Sequence, residues 1–213
     1  MLDLAPPKAQ QPADEPSTAR RGEPDRPLAV TVGSVHGAEL VIRAIARLRA
    51  AGTEVRYVVA SDPIGSPVAS GCPSSLGTLA EIARRCAVAD LVELAPAHDW
   101  SALRALVRRA DVVVVPCAPG DLAPPYVLAE AVAAGKPVVA TDCADIHGLG
   151  RAGAVRLVPH SATRYASAIN TVLTDARARH RMEAASRAAA AIHDWKAVSA
   201  QFESIIAGGL PAG

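Results

Sequence analysis

Aromatic side chains are scarce: three Tyr, one Phe and two Trp stand among 213 residues. So few rings offer little on which to stack successive bases, and a formal net charge of +1 supplies no basic field. Binding to DNA or RNA is therefore not expected, nor is attraction to an acidic membrane surface. Cysteine is equally sparse. Cys72, Cys86, Cys117 and Cys143 form no CxxC pair, which points away from a disulfide framework or a zinc site and towards reduced thiols. The first residues lack a basic stretch ahead of an apolar core, and nowhere do about 18 apolar residues run uninterrupted. The expectation is a cytoplasmic protein with no membrane span.

Several catalytic signatures are missing too. No GxxxxGKS/T phosphate loop and no GxSxG nucleophile turn occurs. The turn Gly33-Ser34-Val35-His36-Gly37 holds two glycines but is not GxGxxG, and no acidic residue closes the second expected strand. A dinucleotide enzyme stays open as an alternative without its fingerprint. His98, His147, His160, His180 and His193 are scattered without metal-ligand spacing, so solvated histidines and no metal are expected. The Arg-rich run from Arg177 to Arg187 alternates with Ala and reads as an exposed helical face rather than a membrane-docking one.

What is present is an apolar half of the chain, 50% by composition, ample for a buried core. Residues 1–26 mix repeated Pro with charged side chains and show no hydrophobic period. Such a segment buries too little to offset its ordering entropy and is expected to be a disordered tail or linker. Residues 27–208 form the expected domain. Short apolar runs at 28–32, 55–60, 91–95, 112–115, 137–141 and 154–158 read as strands. Between them lie helical faces such as Leu40, Val41, Ala44, Ile45 and Leu48, then Leu79, Ile82, Ala83 and Cys86, then Trp100, Leu103, Leu106 and Val107. Further helices are expected at 165–173, 177–192 and 195–206. Strands alternating with helices in this way predict an α/β fold, a doubly wound six-stranded parallel sheet in a single Rossmann-like domain.

The stretch from Asp111 to Asp142 organises the rest. Val112 to Val115 are four β-branched residues in a row, suited to a strand buried on both faces. Pro116 ends it, a Pro- and Gly-rich loop follows, and a helix carrying Tyr126, Val127 and Glu130 stops at Gly135 before a second buried strand. In an open parallel sheet ligands lie beyond the carboxyl ends of the strands, so the loop 117–125 and the start of its helix face the site.

The words of this stretch, ADVVVVP and then EAVAAGKPVVATD, resemble the carboxyl-terminal domain of retaining GT-B glycosyltransferases, the large family-four group that uses nucleotide-sugar donors. Val32 to Ser34, Asp90 to Ala95, Leu157 to Ser161 and Trp195 add matches in the same order. The family carries an E-x7-E motif: Glu130 matches its second Glu, whereas Leu122 occupies the first position and Asp121 stands one place out of register. The resemblance implies that Glu130 accepts from ribose hydroxyls, an ordinary solvent-facing Glu being the competing account. It places the diphosphate at Gly33, Ser34 and His36 and at the backbone of Tyr126 and Val127, where a helix amino terminus offers N–H donors. The family's Arg and Lys in the first turn are absent here. Ala95 and Pro96 correspond to the backbone that holds the base.

The resemblance therefore implies hexosyl transfer from a UDP-, GDP- or ADP-sugar, the nucleotide-sugar being substrate and no cofactor being required. It covers one of the two domains such an enzyme uses, so this chain alone is expected to be inactive, with a partner protein supplying the missing GT-B domain and the acceptor site. The alternative is a non-catalytic partner or binding module, or a truncated gene product.

Overall fold

The computed structural model describes residues 26–33, 36–61, 76–96, 99–117, 125–142 and 146–192. Six strands, β1 (Leu28–Gly33), β2 (Arg56–Ser61), β3 (Val92–Pro96), β4 (Val112–Val115), β5 (Val138–Thr141) and β6 (Val155–Val158), alternate with helices. These are α1 (Ala38–Ala50), α2 (Leu76–Arg85), α3 (Trp100–Arg109), α4 (Pro125–Ala133), α5 (His147–Arg151), α6 (Ala162–Thr174) and α7 (Ala176–Ile192). The strands form one sheet in the order β3-β2-β1-β4-β5-β6, and every pairing is parallel.

The two faces of the sheet follow from strand alternation. Ala29, Tyr57, Val59, Val112, Val114 and Val139 point to one side and pack with α1, α2 and α6. Val30, Val32, Val58, Val113, Val115 and Val138 point to the other and pack with α3 and α4. A strand covered on both faces gains from an apolar residue at every position, at about 1.5 to 3 kcal/mol per fully buried aliphatic side chain. The four valines of β4 are all buried. Helix α3 starts on Asp99, whose carboxylate accepts from the Ala102 N–H at 2.8 Å, an N-cap worth on the order of 1 kcal/mol.

The strand boundaries expected from the sequence agree within a residue. The expected stop at Gly135 is in the left-handed region at φ 65°. One helix was not legible: α5, five residues of sequence HGLGR with no buried side chain, too short and too polar to show a period. The fold also reaches one residue further back than 27, because Arg26 pairs with Glu54 at 2.9 Å. The helix expected at 195–206 lies outside the described residues.

β1 and β4 meet at the centre of the sheet. At their amino ends they are clamped: the Leu28 N–H donates to Asp111 Oδ2 at 2.7 Å and the Asp111 N–H to the Leu28 carbonyl at 2.9 Å. Their ladder then runs only through Ala29↔Val112 and Val30↔Val113, against six pairs between β1 and β2. Past it, side chains take over. Tyr57 donates to Thr31 at 2.8 Å, and Thr31 donates to the Val114 carbonyl at 2.9 Å. On the β5 side Thr141 accepts from the Cys117 N–H at 2.9 Å and shares a 2.8 Å bond with Tyr165, which donates to the Val115 carbonyl at 3.2 Å. These buried hydroxyls keep the carboxyl ends of the central strands satisfied where the sheet opens.

Candidate functional site at the switch point

Chain connections run outward in opposite directions from β1 and β4, and this order creates a crevice at their carboxyl ends. Three elements end there. β1 closes on Gly33 at φ +90°. A Cβ at that position would collide with the Tyr126 hydroxyl, so the missing side chain is the space that the Tyr126 phenol occupies. Gly37, at φ +77°, makes a second close approach, with a Cβ there only 2.9 Å from Pro116 Cβ. α1 begins beside this contact and α4 begins with Pro125 and Tyr126.

Glu130 lies four residues after Tyr126, on the same side of α4. Its Oε1 accepts from Arg104 Nε of α3 at 2.8 Å, with side-chain exposures of 31% for Glu130 and 56% for Arg104. One turn earlier on both helices, Trp100 meets Tyr126 edge to face, centroids 4.8 Å apart and planes at 87°. Two i, i+4 pairs thus face each other: Trp100 and Arg104 on α3, Tyr126 and Glu130 on α4.

Of the residues expected at the site, Gly33 and Tyr126 are in contact, and Glu130, one turn further along α4, pairs with Arg104. Val127 is buried. His36 precedes Gly37 in the turn into α1. Ala95 and Pro96 pair with Ala60 and Ser61 at the end of β3, two strands from β1 and so about 10 Å away across the sheet. Ser34 lies outside the described residues, as does Leu122.

Trp100 corrects the sequence reading. It was expected on the apolar face with Leu103, Leu106 and Val107, yet it is 39% exposed while Leu103 and Val107 are buried. Trp100 is the first residue of α3, and the buried stripe of that helix begins only at Leu103. Arg104 was missed altogether, because its partner is 26 residues away in sequence. The only trace was the i, i+4 spacing of Trp100 and Arg104.

Among the described residues, charge at the crevice is balanced rather than basic. The amino termini of α1 and α4 present N–H groups and positive dipole ends, but Glu39 stands in the first turn of α1 and opposes an anion there. Among the described residues no group of three or more His, Cys, Asp or Glu is placed to hold a metal ion, and no helix is long and apolar enough to cross a membrane. An open hollow of about 750 Å³, lined by Arg49, Arg84, Cys86 and Asp90 among others, lies at the opposite edge, between the last turns of α1 and α2. There a hydrogen bond from Arg49 holds the Asp90 carboxyl below its ordinary range.

Comparison with known proteins agrees with this architecture. The family model for glycosyl transferases group 1 matches residues 26–175. A D-inositol 3-phosphate glycosyltransferase of Xylanimonas cellulosilytica is 31% identical over 188 residues, which are 86% of this chain and 42% of that protein. The chain spans 42% to 44% of the length of the curated relatives it matches. In structure it resembles Anabaena HepE in complex with UDP and glucose, at TM-score 0.65 and 21% identity, covering 85% of this chain and 48% of that one. It also resembles the C-terminal CMP-Kdo binding domain of WaaA from Acinetobacter baumannii, at TM-score 0.57 and 11% identity, covering 76% of this chain and 87% of that one. The chain belongs to the glycosyl transferases group 1 family, and its sheet is the Rossmann-like architecture of one GT-B domain.

Proposed function

We propose that this domain binds the nucleoside diphosphate part of a nucleotide-sugar at the crevice between β1 and β4 and serves as the donor side of a glycosyl transfer reaction. The observation that carries the reading is Glu130. Its carboxylate is fixed at the crevice by Arg104 through one oxygen, and a carboxylate has lone pairs to spare for two ribose hydroxyls. The diphosphate then lies against the first N–H groups of α4, and the base reaches towards Ala95 and Pro96. The relatives' names support a sugar transfer, and the UDP in the Anabaena structure supports a uridine nucleotide as the first ligand to try.

With Ser34 and His36 in place of two cations, diphosphate binding rests on helix amino termini and is weaker than a charged pocket provides. The acceptor site is assigned to a second domain, and the working compartment to the cytoplasm. Calorimetric titration with UDP, GDP and ADP tests the reading. At least one should bind, and Glu130→Gln should weaken it roughly tenfold, since a hydrogen bond to a charged group is worth about 1.5 to 3 kcal/mol. Failure of all three nucleotides to bind the parent chain would sink the proposal.

A further inference from the structure

We propose that Trp100 is the stacking platform for the nucleobase, a role that rests on the nucleotide reading above and adds to it the residue that reads the base. Trp100 is the one exposed large apolar side chain among the described residues. It stands four residues after the end of β3, at the edge of the sheet where ligands of such folds lie. Its ring is held rather than loose: the 4.8 Å edge-to-face contact with Tyr126 fixes the indole, and Tyr126 is itself seated on Gly33. With the side chain 39% exposed, ring surface is left for a flat ligand.

The spacing fits a nucleoside. Trp100 and Arg104 are four residues apart on α3, about 6 Å along the axis, and Arg104 holds Glu130. A base on Trp100 therefore places its own ribose hydroxyls near the Glu130 carboxylate, which is comparable with the reach from a nucleobase to the hydroxyls of its sugar. Stacking on an aromatic ring tolerates any base, because every base has a π face. Discrimination between UDP, GDP and ADP then falls to the backbone of Ala95 and Pro96 rather than to Trp100.

The test uses the full chain and its Trp100→Ala and Trp100→Phe variants, titrated with UDP, ADP and inorganic pyrophosphate. Trp100→Ala should weaken both nucleotides on the order of tenfold and leave pyrophosphate unchanged, while Trp100→Phe keeps most of the affinity. Nucleotide should also quench tryptophan emission in the parent and not in Trp100→Phe, whose remaining indole is Trp195. Equal nucleotide affinity in parent and Trp100→Ala, with Glu130→Gln still weakening it, overturns the stacking role and leaves the nucleotide site standing. Absence of nucleotide binding by the parent overturns both. Circular dichroism of each variant checks that it is folded, and Trp100→Phe preserves the contact with Tyr126 should Trp100→Ala fail to fold.

Discussion

Tyr57 is fully buried beneath the central strands, and its hydroxyl begins the chain of hydrogen bonds that ends on the Val114 carbonyl. Burial pushes its phenol far above the ordinary value of 10.0, with the Thr31 bond pulling weakly the other way. A phenol whose folded pKa exceeds its unfolded one stabilises the fold fully below about pH 10. That contribution is then lost as pH rises above 10, by up to about 1.4 kcal/mol per pH unit. Tyr57→Phe removes both the hydrogen bond and the titration. It should cost about 1 kcal/mol near pH 8, and the gap between the two chains should close as the pH is raised from about 10 to 11. Urea unfolding of both chains across that range measures it. A gap that stays constant would mean that the phenol ionises as easily folded as unfolded.

Helices α3 and α4 carry the candidate site between them, and the ion pair that joins them has a position more than a stabilising energy. Arg104 and Glu130 are both partly exposed, so their pairing contributes at most about 1 kcal/mol. Arg104→Ala should therefore shift the unfolding midpoint by no more than about 4 °C in a chain of this size. Its effect on UDP should be clearer. Without Arg104 the Glu130 side chain regains rotamers that binding must freeze, at about 0.5 to 1.5 kcal/mol, so affinity should fall roughly two- to tenfold. Tighter UDP binding in Arg104→Ala would show that the guanidinium competes with ribose instead of positioning its acceptor.

What the sequence disclosed follows the same division by element. Strands β1 to β6 were legible because parallel strands buried on both faces are written as unbroken apolar runs, Val112 to Val115 being the plainest. The turn at Gly33 and the helix that carries Glu130 were legible because local words surround them. The contacts of Trp100 and Arg104 were not, because they are made with α4, which the chain reaches only after crossing β4. The scarcity of aromatic residues bears on nucleic-acid binding by the whole chain, whereas the meeting of Trp100 with Tyr126 is visible only in the fold.

At the scale of the whole domain, the proposed reading gives this doubly wound sheet the donor side of a transfer site. On the reading proposed above, the crevice at the carboxyl ends of β1 and β4 holds the nucleotide end of a donor, and a second domain holds the acceptor. Holding two reactants in alignment accounts for about 7 to 11 kcal/mol of a barrier in favourable cases, and that share is unavailable to a surface that holds one of them. The 213-residue polypeptide on its own should therefore bind UDP without multiple-turnover transfer of sugar from a UDP-sugar to any acceptor. Chromatographic detection of free UDP and glycosylated product at substrate excess, beside calorimetry on the same preparation, separates the two properties. Binding without turnover is the expected result, and repeated transfer by the purified chain would show that this domain assembles an acceptor site from its own surface.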